Sequence, residues 1–210
     1  MGRLLSVLLL GCLMVGCQNE THPVVSPVPS PTPHTEATAA ILQSGDVPAG
    51  LDVCLGSGPV DVYLSTLAIS DPTLASRESD QWQQMRNQGA TEGAISVFAA
   101  APSACSVELG ATTSVKAIAS FVARFADEGE ADRAWQSGIF GFAPPPPGQL
   151  TLGLVRGTGT GLGISSFTYE RPSVRLASWH RSLFVALVVV SNLDLNTFKA
   201  ATAAIDPRLN

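Results

Sequence analysis

The sequence predicts an α+β fold: an antiparallel sheet of about five strands packed by two or three helices. Three observations carry this. Val115, Ala117, Ala119, Phe121, Ala123 and Phe125 alternate with a face that includes Lys116, Ser120 and Arg124, the period-2 pattern of a strand. Asp127 opens a segment whose Ala131, Ala134, Trp135, Gly138, Ile139 and Phe142 recur at helical spacing. Beyond it, three successive strand patterns precede one last amphipathic stretch, the order of a meander closed by a helix.

Taken in order, Asp46-Val-Pro-Ala-Gly50 is turn chemistry, and Leu51 to Cys54 and Val60 to Leu67 read as short edge strands. A first helix starts after Ser70 or Asp71, with Pro72 suited to its first turn, and stops at Gly89, directing Leu74, Trp82 and Met85 inward. Ala94 to Ala100 suits a strand. The alternation from Val115 predicts a sheet covered on one side and partly wet on the other. Asp127 with Glu130 three residues later makes a capping box for the second helix, whose early carboxylates meet the positive helix end. Pro144 to Pro147 end that helix in a stiff loop. Ile164 to Glu170, Val174 to His180 and Leu183 to Ser191 form the meander, with Arg171-Pro172 and Arg181-Ser182 at its turns. The run from Leu183 to Val190 is the most hydrophobic, which marks it as the central strand. Asn192 or Asp194 caps the last helix, in which Leu195, Phe198, Ala201, Thr202 and Ile205 face the core before Pro207 stops it.

The N-terminus carries an address. Arg3 supplies a charged start, Leu4 to Val15 an apolar run too short to span a membrane, and small Gly16 precedes Cys17. Leu13-Met14-Val15-Gly16-Cys17 resembles the lipid-attachment signal of bacterial lipoproteins, with Met14 where Leu is usual and Val15 where Ala, Ser or Thr is usual. Leu9-Leu10-Gly11-Cys12 is a rival box, but it would shorten the apolar run to the lower edge of export signals. The resemblance implies a signal peptide over residues 1–16 and lipidation of Cys17, whose two or three acyl chains anchor stably where one chain would not. It places the protein outside the cell membrane, or on the outer membrane of a two-membrane bacterium.

Residues 17–38 read as the lipidated Cys and a Pro/Ser/Thr-rich tether. Prolines 23, 27, 29, 31 and 33 favour an extended polyproline II spacer rising about 3.1 Å per residue. Ser26, Ser30, Thr32 and Thr35 are open to O-linked sugar, although a bare spacer is the simpler reading. His22 and His34 are too isolated to form a metal site. Residues 39–210 form a single domain.

With Cys12 removed and Cys17 lipidated, Cys54 and Cys105 remain as a pair. An oxidising compartment favours a disulfide over two buried thiols. A bridge closing a loop of about 50 residues is worth roughly 4 kcal/mol by chain entropy.

Charge narrows the functional classes. The formal net charge is -5 and the twelve Lys and Arg residues are scattered, which argues against nucleic-acid binding. Gly157-Thr-Gly-Thr-Gly-Leu-Gly163 fits neither dinucleotide nor phosphate-loop spacing and reads as a loop or bulge. His180 is the domain's only histidine, and no G-x-S-x-G elbow surrounds Ser165 or Ser166. Zinc would need three or four clustered ligands. Asp127, Glu128, Glu130 and Asp132 lack calcium-loop spacing, and helix-start electrostatics account for the first three. No metal or cofactor is therefore expected. Trp135, Phe140, Phe142 and Trp179 either line an apolar pocket between helix and sheet or build the core, and the scarcity of large aromatics favours the core.

The element order, with Asp46-Val-Pro-Ala-Gly, Gly161-Leu-Gly, Ala177-Ser-Trp-His-Arg and Phe184-Val-Ala-Leu-Val-Val-Val, resembles small envelope lipoproteins of actinobacterial and Chloroflexi type. Some relatives in that group look like sensor domains or adopt a Mog1/PsbP-like α+β fold. The resemblance implies no catalytic residue. The expected function is a non-enzymatic, lipid-anchored envelope domain that binds a small molecule or protein, with Trp135 and Trp179 as candidate binding residues. The alternatives are an envelope hydrolase built on carboxylates and a purely structural envelope component.

Overall fold

A computed structural model describes residues 35–149 and 151–210. The expected signal peptide, Cys17 and nearly all of the expected tether lie outside the described residues. The fold is α+β, with an all-antiparallel sheet of eight strands rather than five: β1 (Asp52–Val53), β2 (Gly58–Pro59), β3 (Ala90–Ala99), β4 (Ala117–Phe125), β5 (Leu154–Arg156), β6 (Ser166–Glu170), β7 (Val174–Arg181) and β8 (Phe184–Ser191). The order is β1-β3-β4-β8-β7-β6-β5, with β2 also paired to β3. β8 is thus central, as its hydropathy indicates. β1 falls within the expected edge strand Leu51 to Cys54, whereas the extra strands β2 and β5 are pieces of two and three residues, too short to show alternation.

Among the described residues five α-helices cover the sheet: α1 (Ala37–Ala40), α2 (Val60–Ser70), α3 (Pro72–Asn87), α4 (Glu128–Ser137) and α5 (Leu195–Ile205). Three begin where a carboxylate accepts an orphan N–H: Asp71 from Leu74 at 2.9 Å, Asp127 from Glu130 at 2.9 Å and Asp194 from Thr197 at 2.8 Å. The Glu130 carboxylate does not return the bond as a capping box would. It lies over Gly89, where any Cβ would collide with it.

The segment from Val60 is a helix, not a strand. Its Val60, Asp61, Val62 start imitates a β pattern, but Val60, Tyr63, Leu64 and Leu67 form a buried helical stripe, and Pro59 suits a helix entry. α4 ends earlier than the prolines suggest, because Gly138 turns at φ 102°. Ile139 and Phe140 then fold back into the core through a tight turn bridged from Ile139 to Phe142.

Both faces of the sheet are covered, which corrects the half-wet expectation. One layer packs α2, α3 and α4 on Ile95, Val97, Phe121, Phe125, Leu187 and their neighbours. The opposite layer packs α1, Ile41, Leu42 and α5 on Phe98, Ile118, Val122, Val188 and Val190. The polar strand residues of that second face satisfy the covering chain. Ser120 accepts from the Leu42 N–H at 2.9 Å and meets Ser96 at 2.8 Å. Arg124 pairs with Glu92 at 2.9 Å, and Glu92 also accepts from the Ala37 N–H at 3.3 Å. Arg208 clamps this segment by a two-pronged pair to Asp46, both contacts 2.8 Å, and a bond to the Ile41 carbonyl at 3.0 Å. Among the described residues Ala37 is already buried in this layer. Among the described residues no helix is long and apolar enough to cross a membrane.

Candidate functional site

Cys54 and Cys105 form a disulfide with Cα atoms 5.6 Å apart. It ties the end of β1 to the loop after β3, and such a bridge belongs to an oxidising compartment. The Cys54 N–H donates to the Val97 carbonyl at 2.8 Å, and Ser57 accepts from the Val97 N–H at 3.1 Å. These bonds fix the chain between β1 and β2 against β3.

Between this bridged corner and α2 lies a groove of about 440 Å³, within the size range of small-molecule sites. Val53, Leu55, Leu67 and Ile69 line it with the disulfide, and Tyr63 is at its floor. Leu55 and Ile69 are each 87 % exposed. Water-exposed aliphatic side chains on both lips of a concave apolar surface are what an apolar ligand would cover. Among the described residues Asp52 is the only lining carboxylate, and no Lys, Arg or His lines the groove.

Behind the floor is the most unusual group of the fold. Glu78 is 0 % exposed, and neither of its carboxyl oxygens has a hydrogen-bond partner; the buried Tyr63 hydroxyl has none either. The two groups face each other closely enough to shift one another's protonation, without meeting in a hydrogen bond of normal geometry. Burial pushes the Glu78 carboxyl up to about 7, and the Glu108 charge adds to the rise against the pull of Arg77 and Tyr63. Burial and Glu78 together push the Tyr63 hydroxyl far above its ordinary range. Arg77 is turned outward to Glu108 at 2.7 Å.

The other sequence candidates are separated by the fold. Trp135 (6 % exposed) packs near Phe167 in the α2–α3–α4 layer, whereas Trp179 (0 %) lies in the α1–α5 layer. They sit on opposite faces of the sheet and line no common pocket; both are core, as are Ile139 and Phe140. Three of the four acidic residues at α4 also do separate things. Asp127 caps, Glu130 covers Gly89, and Asp132 sits 3.7 Å from His180 Nδ1 while accepting from Gln136 at 2.6 Å. His180 Nε2 is held at 2.8 Å from the Ser182 carbonyl. Among the described residues no three His, Cys, Asp or Glu side chains converge to hold a metal ion. The glycine-rich segment is a pinned loop: Ser166 donates to the Gly163 carbonyl at 2.6 Å, the Leu162 N–H donates to Thr160 Oγ1 at 3.0 Å, and Leu162 is buried.

Sequence reasoning missed the groove, since two of its walls come from the bridged corner and from a helix read as a strand. Glu78 had a visible signal. Leu74, Glu78, Trp82 and Met85 follow helical spacing, placing an acid within the buried stripe. No family model, no curated protein and no solved structure matches the chain. The fold and site define an α+β domain with a disulfide-walled apolar groove, and the functional reading rests on that geometry.

Proposed function

We propose that this protein is an exported, lipid-anchored envelope protein whose domain binds a small, uncharged apolar molecule in the groove between α2 and the Cys54–Cys105 corner, without catalysing a reaction on it. The groove carries this reading: aliphatic lips left in water, a covalently fixed wall and, among the described residues, no basic side chain in the lining. The disulfide supports export. The lipid-attachment pattern ending at Cys17 supports anchoring.

A fluorescence titration with the neutral dye N-phenyl-1-naphthylamine tests the binding. Wild type is expected to bind saturably at one site. Leu55→Asp and Ile69→Asp, at exposed positions that leave the core intact, should each weaken binding about tenfold, in line with the transfer free energy of one large aliphatic side chain. Ile164→Asp, equally on the surface but away from the groove, should not. Absence of saturable binding, or equal affinity in all four proteins, would overturn the reading.

A further inference from the structure

Tyr63 of α2 lines the groove, and its buried hydroxyl acts on the enclosed carboxyl of Glu78 in α3, so one side chain links the ligand site to that carboxyl. α2 and α3 are joined only through Asp71, whose N–H donates to Leu67 and whose side chain caps α3.

We infer that Glu78 is a proton-operated prop behind the groove: protonated, it lets α2 close on α3 with Tyr63 seated as the floor; ionised, it draws water into that seam, and the groove loses its shape and its ligand. This rests on the proposed role of the groove.

An ionised carboxylate enclosed in a core is tolerated only with a counter-charge or several donors. The titratable and charged groups facing Glu78 are Tyr63 from α2, Arg77 from its own helix and Glu108 from the loop after β3. Glu108 repels the ionised form, and Arg77 is engaged by Glu108 outside. The strand residues on this face, Ile95, Val97, Ala99, Ala117, Ala119 and Phe121, are apolar. Of these three, Tyr63 is the one left free to donate, and it would have to move to do so, which disturbs the floor. Water entering the seam has the same effect. The carboxyl's shift to about 7 sets this exchange within an ordinary environmental pH range.

Hydrogen–deuterium exchange of the backbone amides of residues 63–67, corrected for intrinsic rates, tests the prop at pH 6 and pH 8. Dye binding measured under the same conditions tests its coupling to the groove. In wild type, protection and affinity should both fall by up to about tenfold from pH 6 to pH 8, the change allowed by a carboxyl that titrates at about 7 when enclosed and in its ordinary range when open. Glu78→Gln, neutral and of the same shape, should keep both flat; Glu78→Met serves the same purpose if the Gln variant fails to fold. Equal pH dependence in wild type and variant would overturn the inference. So would loss of protection with no change in dye affinity. Dye that binds at neither pH would count against the groove itself, while the exchange data would still decide whether Glu78 acts as a prop.

Discussion

Replacing Glu78 by Gln should stabilise the protein at alkaline pH and leave it nearly unchanged in acid. The carboxyl rises from an ordinary value of 4.5 to about 7 in the fold. Between those values the folded protein holds a proton that the unfolded chain has released, so stability falls as pH rises through the window and levels off above it. At about 1.4 kcal/mol per unit, the full loss is about 3 kcal/mol. Glu78→Gln removes the proton equilibrium without changing shape. Since neither carboxyl oxygen has a partner, it breaks no hydrogen bond either. Urea unfolding of both proteins at pH 5 and pH 8 measures the difference. The variant should gain up to about 3 kcal/mol over wild type at pH 8, a rise in Tm of about 6–12 °C for a domain of this size, and under 1 kcal/mol at pH 5. A stability difference that is the same at both pH values would refute the argument, as would a variant weaker than wild type at pH 8.

Other expectations follow from the two ends of the chain and from the bridge. Intact-mass analysis of native protein should show no alkylatable thiol at Cys54 or Cys105, and replacing both by Ala should cost up to roughly 4 kcal/mol in denaturant unfolding, the chain entropy of a loop of this length. Arg208 holds the Asp46 carboxyl below its usual range, mainly through their hydrogen bonds. The stability this pair contributes is present above the unfolded carboxylate value of 3.8 and is lost as pH falls through the lower folded value. Arg208→Ala should cost about 1 kcal/mol at pH 7 and flatten the acid limb of the stability profile. Growth with an alkyne fatty acid should label the protein, and Cys17→Ser should abolish that labelling; a labelled Cys17→Ser protein would shift the anchor elsewhere.

The core strands and the long helices were legible because their signals are local and repeated. The alternation from Val115 to Phe125, the caps at Asp71, Asp127 and Asp194, and the run of β8 all correspond to observed elements. What was not legible depended on partners distant in sequence. Ser120 and Arg124 look solvent-facing in a strand, but Leu42 and Glu92 come from other segments to satisfy them. Trp135 and Trp179 look like a pair, yet a sheet runs between them. The groove needed the Cys54–Cys105 bridge and the helical reading of Val60 to Ser70 at once, and neither is encoded in a local period. Glu78 was readable from spacing alone, but its lack of a partner was not.

The groove is tested most directly by photoaffinity labelling of the purified domain with an uncharged alkyl diazirine, followed by peptide mapping. Saturable labelling is expected on Leu55, Leu67 and Ile69, competed by N-phenyl-1-naphthylamine and lost in Ile69→Asp. Label spread without saturation over other exposed aliphatics such as Leu152 and Ile164 would contradict the account.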